Sequence, residues 1–248
     1  MSVIGQIEAL FRYPVKSMRG ESLGSALLGW HGIEGDRRLA LRRIEARGDF
    51  PWLSASKLPE LILFTPQPRA DRAAQLPPTH VRTPDGAELP VLGDALAAEV
   101  GRRLGEPVHM MQLKHGVFDE ASISVISSAT IGRICALAGT SADVRRFRPN
   151  ILVRPTNPIP FDEDRWIGGS LRFGDEADAP RLAVTQRDQR CAMVCFDPDD
   201  AASSPAVMRA AVEANDNHAG VYCAVTRTGR LIVGQNLYFD PPGSGENP

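Results

Sequence analysis

Hydrophobic and polar positions alternate over many short stretches of this chain, which is typical of β-strands. Residues 3–12 alternate in this way, as a strand with one buried face requires. Other short apolar stretches are bounded by proline, glycine or charged residues, which favours strands over long helices. Strands are predicted in this way at 23–30, 61–64, 109–113, 151–153, 171–174, 182–184, 221–225 and 231–233.

Three other stretches carry apolar residues at the spacing of one helix face. In the second of them Cys135 falls on the apolar face, which predicts a core residue without a chemical role. Polar N-cap residues and C-terminal glycines mark the ends of such helices. The predicted helices begin at Asp94, at Ser127 or Ser128, and at Ser204, and the first two end at Gly105 and Gly139.

One cysteine lies beside fixed positive charge. Cys191 directly follows Arg190, and Arg187 lies four residues before it. A neighbouring cation favours the thiolate, which is the reactive and metal-binding form of cysteine. The apolar residues after Cys191 stop at Asp197-Pro198, which predicts a short buried strand that runs into a turn. Free cysteine is often buried, so this stretch taken alone favours a core cysteine.

Composition restricts the class of protein. The chain has 248 residues, 43% of them hydrophobic and 23% charged, which is ordinary for a globular protein with a real core. The formal net charge is -2, so binding to nucleic acid is not expected. No apolar run reaches membrane-spanning length and the N-terminus has no signal-peptide core, so we expect a cytoplasmic protein without membrane contact.

Metal-binding patterns of cysteine are missing from the sequence. The four cysteines form no CxxC pair, which excludes the usual patterns of zinc sites, iron–sulfur clusters and disulfide frameworks.

Basic residues accumulate at three places where a predicted strand begins or ends. Lys16-Ser17 follows the first strand, Arg37 follows a glycine-rich turn, and Arg148 precedes Pro149-Asn150 and a buried strand. Arginine forks and lysine suit phosphate and other oxyanions. Surface ion pairs and a solvated loop remain the alternative interpretation of each place taken singly.

Five stretches together match the pattern of a known family in its order. They are Tyr13-Pro14-Val15-Lys16-Ser17, Gly35-Asp36-Arg37, Phe147-Arg148-Pro149-Asn150, Arg190-Cys191 with Asp197-Pro198, and residues 229–234. With them the chain resembles the MOSC family. It is most similar to the subgroup that joins an N-terminal MOSC-associated β-barrel to the MOSC domain. That subgroup includes the mitochondrial amidoxime-reducing component and bacterial reductases of N-hydroxylated compounds.

The resemblance implies an α+β fold that is mainly β, with two β-barrel-like halves and a few peripheral helices. It implies an N-terminal β-barrel domain at 1–108, a MOSC domain at 109–240 and a disordered tail at 241–248. The cofactor is expected in the cleft between the halves, because its candidate ligands come from both.

The resemblance also implies a molybdenum cofactor, and pyridoxal phosphate is not expected. Cys191 would be the catalytic cysteine and the metal ligand. Lys16, Ser17, Arg37, Arg148 and Asn150 would contact the cofactor together with Cys191. The implied activity is reduction of small N-hydroxylated or N-oxygenated substrates. Because the chain ends without the fused iron–sulfur domain of some relatives, electrons are expected from a separate ferredoxin- or cytochrome-type protein with its reductase.

Two departures from the family pattern and two alternatives stay open. Asp188 stands where amidoxime reducers carry a further cysteine, and Glu120-Ala121 stands where the family has Thr-Ser. One alternative is a non-catalytic carrier of molybdenum cofactor or sulfur that uses Cys191. The other is a structural protein whose cysteines all lie in the core, which would leave the joint pattern of basic residues unexplained.

Overall fold

A computed structural model describes residues 2–48, 50–67 and 77–243. The chain is mainly β with three described α-helices, which confirms the predicted fold class. The helices are α1 (Asp94–Leu104), α2 (Ser128–Ala138) and α3 (Pro205–Asn215). The strands are β1 (Ser2–Arg12), β2 (Glu21–Leu23), β3 (Ser25–Gly29), β4 (Gly32–Ile33), β5 (Leu39–Arg43), β6 (Thr65–Pro66), β7 (His80–Arg82), β8 (Glu88–Pro90), β9 (Val108–Gln112), β10 (Ile123–Ser127), β11 (Ile151–Pro155), β12 (Ser170–Phe173), β13 (Arg181–Gln189), β14 (His218–Arg227), β15 (Gly229–Ile232) and β16 (Asn236–Asp240).

Seven strands close into a barrel. Their order is β11, β10, β14, β13, β12, β16 and β1, and β1 pairs back onto β11. The β10–β11 pair is parallel and the others are antiparallel. The barrel interior is a core of aliphatic and aromatic side chains, among them Leu10, Val125, Phe173 and Val221. Closure satisfies the backbone groups that an open sheet would leave at its edges.

Two residues of strand β1 that lie an odd number of positions apart both point into the barrel core. In a regular strand they would point to opposite faces. Ile7 and Leu10 are three residues apart, and both are fully buried in the barrel interior. The register of β1 against β11 shifts between Ile7 and Ala9. Such a bulge changes the phase of the side chains by one residue, which turns both apolar residues inward.

The other described strands form three small sheets. β15, β3 and β4 make one, β5 and β9 a second, and β6, β7 and β8 a third. A second core lies under β5, β9 and α1, and a third lies between α2, α3 and the barrel wall. Because β1 belongs to the barrel and β15 pairs with β3, the first and last parts of the chain are interlocked.

The domain limits 1–108 and 109–240 stay a prediction. Of the predicted tail, residues 241–243 are exposed, and 244–248 lie outside the described residues. No helix in the described ranges is both long and apolar enough to cross a membrane.

Two helix starts differ in how they are capped. Ser127 is the N-cap of α2 and accepts a hydrogen bond from the Thr130 backbone N–H at 3.2 Å, as predicted. The predicted cap Asp94 is wrong, because Gly93 occupies the N-cap position with φ 115° and Asp94 is already helical. Its carboxylate lies in the first turn, where the helix dipole favours negative charge.

Two predicted strands are 3-10 turns instead. Pro59–Leu63 replaces the strand predicted at 61–64, and Ala192–Cys195 replaces the strand predicted after Cys191. Both runs are short and bury only two residues each, Leu61 with Ile62 and Val194 with Cys195, so their hydrophobic pattern carries no period that separates a strand from a turn of helix. In the first, Pro59 fixes the backbone at the position where a helical turn begins.

A buried carboxylate joins the N-terminal segment to the barrel. Asp36 is 1% exposed and accepts a hydrogen bond from the Tyr13 backbone N–H at 2.7 Å. Its other oxygen accepts from Asn150 Nδ2 at 3.0 Å and forms an ion pair with Arg37. Asn150 in turn accepts from the Ser124 backbone N–H on β10 at 3.2 Å. One carboxylate therefore fixes three chain segments relative to one another.

We expect the Asp36→Ala variant to lose about 3–5 kcal/mol of unfolding free energy, since it leaves the Arg37 cation buried without its partner. Urea unfolding followed by circular dichroism measures the loss. The exposed residue Glu213 on α3 provides a control, because Glu213→Ala should change stability by less than about 0.5 kcal/mol. Equal unfolding midpoints for the two variants would contradict the role of Asp36.

Candidate functional site

One cavity of about 950 Å³ brings the six predicted site residues together. They come from places far apart in the sequence: two from the segment after β1, one beside Asp36, two from the segment before β11 and one just after β13. The cavity lies where the N-terminal segments meet the end of the barrel. Lys16, Ser17, Arg37, Arg148, Asn150 and Cys191 all line it.

Cys191 is the one exposed cysteine of the four, and its three counterparts are buried. It follows the end of β13 and precedes the 3-10 turn Ala192–Cys195. The sequence pattern, taken alone, favoured a core position, and that interpretation is wrong for Cys191. It holds for Cys135, which is 1% exposed on the buried face of α2. Burial raises the pKa of the Cys135 thiol, so this thiol stays in the inert protonated form.

The two arginines near Cys191 in the sequence are both engaged by carboxylates. Arg190 Nη1 lies 2.5 Å from Asp188 Oδ2, and Arg187 Nε lies 3.1 Å from Asp164 Oδ2. Arg190 also donates to the backbone oxygens of Phe147 and Ala219. Their charge is therefore largely compensated within the protein.

Lys16 is a buried cation at the cavity wall. Its side chain is 5% exposed, and Nζ donates to Asp119 Oδ1 at 2.7 Å and to the Val117 backbone oxygen at 3.3 Å. Burial lowers the pKa of Lys16, and the Asp119 carboxylate opposes this. An ammonium group has three donors, so one N–H remains for a ligand in the cavity.

Arg37 and Arg148 share the ring of Tyr13. Their guanidinium carbons lie 4.6 Å and 4.2 Å from the ring centroid, a distance at which a cation is attracted to the aromatic face. Burial raises the pKa of Tyr13 to about 12, so its hydroxyl stays protonated and donates to the Pro149 backbone oxygen at 3.1 Å. The two cations are held side by side without an ionised phenol between them.

The two arginines differ in their charge partners. Burial, the largest single influence, would lower the pKa of Arg37, but the surrounding acidic groups, Asp36 first and then Asp119, act against it and the pKa is raised. Arg148 makes no ion pair with any described carboxylate, and burial lowers its pKa to about 10. Arg148 remains charged at neutral pH, so it is the cation of the pair whose charge is available to a bound anion.

Three of the six site residues have a left-handed backbone. Ser17, Arg37 and Arg148 have φ of 66°, 50° and 52°. Non-glycine residues seldom adopt this conformation, which costs about 1–3 kcal/mol when the surrounding structure enforces it. Strained positions of this kind are concentrated at binding and catalytic sites. Here the conformation turns side chains from three separate loops toward one cavity.

Asn150 is held by the protein itself. Its Nδ2 donates to Asp36 and, at 3.4 Å, to the Phe11 backbone oxygen, and its Oδ1 accepts from the Ser124 backbone N–H. Both amide donors are thus already used within the protein. Asn150 can therefore still accept one hydrogen bond from a cofactor, through the remaining lone pair of Oδ1.

Sequence reasoning missed several residues that shape the site. Tyr13 and Asp36 lie inside the matching stretches, but their burial and partners were not readable from the pattern. Asp188 is 1% exposed and lines the cavity, and Ser124 Oγ donates to its Oδ2 at 2.6 Å. Burial raises the pKa of Asp188, opposed by Arg190, Ser124 and Tyr222. Its place two residues before Arg190, where amidoxime reducers carry a further cysteine, was the signal in the sequence, but its burial and partners were not readable from it.

The cavity is more basic than the chain. Six lysines and arginines line it against three aspartates and glutamates, whereas the whole chain has a formal net charge of -2. An excess of cations at a concave surface favours an anionic ligand. Two of the acidic residues, Asp119 and Glu120, are exposed at the cavity wall. The described ranges contain no cluster of three or more histidines, cysteines, aspartates and glutamates arranged to hold a metal ion.

Comparisons with solved structures find the same fold at low sequence identity. The crystal structure of the YUAD protein from Bacillus subtilis is 14% identical with a TM-score of 0.52, and the match covers 96% of each chain. YiiM from Geobacillus stearothermophilus is 18% identical over 50% of this chain and 56% of its own, with a TM-score of 0.39. The first likeness supports the fold, and the second is too weak to support an argument. No curated protein matches the chain.

Family models match nearly the whole sequence. The model of the MOSC N-terminal beta barrel domain matches residues 4–103, and the model of the MOSC domain matches residues 112–238. MOSC domains are associated with binding of the molybdenum cofactor. The second match alone covers half of the chain and includes Cys191, Arg148 and Asn150. On this evidence the chain belongs to the MOSC domain family, and it carries the MOSC N-terminal beta barrel domain in front of the MOSC domain.

Proposed function

We propose that this protein is a molybdenum-cofactor-dependent oxidoreductase that reduces N-hydroxylated substrates with electrons from a separate donor protein. The observation that carries the proposal is the exposed thiol of Cys191 in the same cavity as Lys16, Arg37 and Arg148. A soft thiolate suits a metal that is otherwise held by sulfur, and the cations suit the phosphate of a pterin cofactor.

The residues of the cavity fit such a cofactor in three respects. Lys16 keeps one donor for an anion, Arg148 has no carboxylate partner in the described structure, and Cys191 is accessible. Cys191 would be the protein ligand of the metal. Lys16, Ser17, Arg37 and Arg148 would hold the phosphate and pterin, and Asn150 would contribute its one free lone pair.

The reaction is a two-electron reduction. An N-hydroxylated base takes up two electrons and two protons and is released as the parent base and water. When bound, the cofactor supplies the two-electron redox chemistry. The protein positions the cofactor and the substrate in a cavity whose strained loops fix the binding side chains before the ligand arrives. The electron donor is proposed to be a ferredoxin- or cytochrome-type protein with its own reductase.

A carrier of molybdenum cofactor or sulfur is the second candidate, and the open position of Cys191 favours it equally. A carrier would bind the same cofactor in the same cavity and would not turn over. Catalytic turnover therefore separates the two candidates.

Turnover is tested with benzamidoxime as substrate and a chemical electron donor, using protein made in a host that produces the cofactor. We expect many equivalents of benzamidine per chain, because a catalyst is regenerated at each cycle. Product is measured by chromatography. A yield limited to one equivalent or less, with cofactor bound, would contradict the oxidoreductase and favour the carrier.

Replacing Cys191 by serine is expected to remove most of the molybdenum while the pterin stays bound, because the basic residues that hold it are unchanged. Elemental analysis reports the metal, and fluorescence after oxidation reports the pterin. Cys135→Ala is the matched control, since this cysteine lies in the core and should leave both contents unchanged. Full metal content in Cys191→Ser would exclude Cys191 as the metal ligand.

The Arg148→Gln variant should retain about tenfold less pterin than the wild type, because it loses a charge-assisted contact to the cofactor. The matched control is Arg145→Gln, since Arg145 is neutralised by Asp143 and Asp199. Pterin content per folded chain is the measurement. An equal loss in both variants would show that the effect depends on general charge and not on the cavity.

A further inference from the structure

A second, smaller cavity lies behind Arg148. Its volume is about 230 Å³, and Arg146, Arg148 and Met193 line both this cavity and the large one. It is bounded by the end of β1, the start of β2, the turn Pro59–Leu63 and the segment that follows Cys191. We call this cavity the small pocket. Of the six site residues predicted from the sequence, only Arg148 lines this cavity.

Apolar side chains form much of the small pocket. Phe11, Tyr13, Ile62, Met193 and Phe196 face it. All of these groups except Tyr13 belong to the second and third cores, which meet here without filling the space between them. The volume lies below the range of about 300–1,000 Å³ that is common for drug-sized ligands. A ligand of this pocket would be small and would carry an apolar body.

Three arginines that line the small pocket also carry buried donors without a partner among the described residues. Arg19 Nε, Arg146 Nε and Nη1, and Arg148 Nη2 are buried and have no hydrogen-bond partner in the described structure. All three arginines line the small pocket. Buried donors without an acceptor cost stability, so a bound acceptor would be favoured. A carboxylate brings two oxygens with about four lone-pair sites, so it can accept from more than one guanidinium.

The charge balance favours a monoanion. Arg19, Arg145, Arg146 and Arg148 line the pocket, and their described carboxylate partners are Asp143, Asp197 and Asp199. Arg145 is engaged by two of these carboxylates and Arg146 by one. One positive charge therefore remains, and Arg148 carries it.

We propose that the small pocket is a binding site for a small organic carboxylate, distinct from the site of the large cavity. The carboxylate would accept hydrogen bonds from Arg146 and Arg148, and the apolar body would pack against Phe11, Ile62 and Phe196. A guanidinium has five N–H donors, so Arg148 can face both cavities at once. The site requires no redox chemistry, and it shares Arg146, Arg148 and Met193 with the wall of the large cavity.

Benzoate is the probe, and benzamide is its neutral match in shape. Isothermal titration calorimetry on the full chain should show saturable benzoate binding with a Kd below about 1 mM, a free energy that a ligand of this size commonly reaches. Benzamide should bind at least about tenfold more weakly, because it carries no charge for the arginines. Equal binding of the two, or no benzoate binding, would overturn the proposal, as would inorganic phosphate binding in place of benzoate.

Three variants locate the binding. Arg146→Gln removes two of the unused donors and should weaken benzoate binding about tenfold or more, whereas Arg145→Gln should change it less than about twofold. Ile62→Phe fills the pocket and should abolish binding while the protein stays folded, as thermal unfolding will show. Unchanged benzoate binding in Ile62→Phe, or equal losses in the two arginine variants, would place the benzoate elsewhere and refute the site.

Discussion

The carboxylate of Asp36 is the contact on which the arrangement of this molecule depends. It is buried, and its partners come from the segment after β1, from its own loop and from the segment before β11. An unpaired charge at this depth would cost several kcal/mol. The folded state therefore favours the packing in which all three segments contact Asp36. The same contact places Arg37 beside Tyr13 and fixes the amide of Asn150. The geometry of the large cavity thus follows from one neutralised charge.

Around that contact, the protein separates cations that are used internally from cations that are left for a ligand. Arg37, Arg187 and Arg190 are each opposed by a carboxylate, whereas Arg148 is opposed by none that the structure describes. Lys16 is partly opposed by Asp119. Internal pairing stabilises the loops, and the residual charge is carried by Arg148 and in part by Lys16. This division explains how a chain with a net charge of -2 can present a basic cavity.

Arg148 also connects the two cavities. Its left-handed backbone and its stacking on Tyr13 hold the guanidinium in the wall between them. The large cavity is open and contains the accessible thiol, as proposed for a site of cofactor and substrate. The small pocket is more apolar and has donors without acceptors, as proposed for a small carboxylate. Because Arg148 lines both cavities, an anion bound in one cavity would partly neutralise the positive charge that Arg148 presents to the other.

Periodicity and end signals allowed much of the fold to be predicted from the sequence. Most strands, the three helices, the cap at Ser127 and the glycine that ends α1 are local features, because a strand or helix records its period in neighbouring residues. The matching stretches also pointed to six of the residues that line the large cavity.

Only the tertiary structure decided the features that depend on distant residues. The runs at 61–64 and 192–195 are 3-10 turns because buried apolar residues carry no period of their own. The exposure of Cys191, the burial of Asp36 and Asp188, and the small pocket all depend on how separate segments pack. The sequence by itself determined most of the strands, the helices and six candidate residues that the large cavity brings together. The packing decided which of them are neutralised and which remain available, because charge compensation is set by distances between residues far apart in the chain.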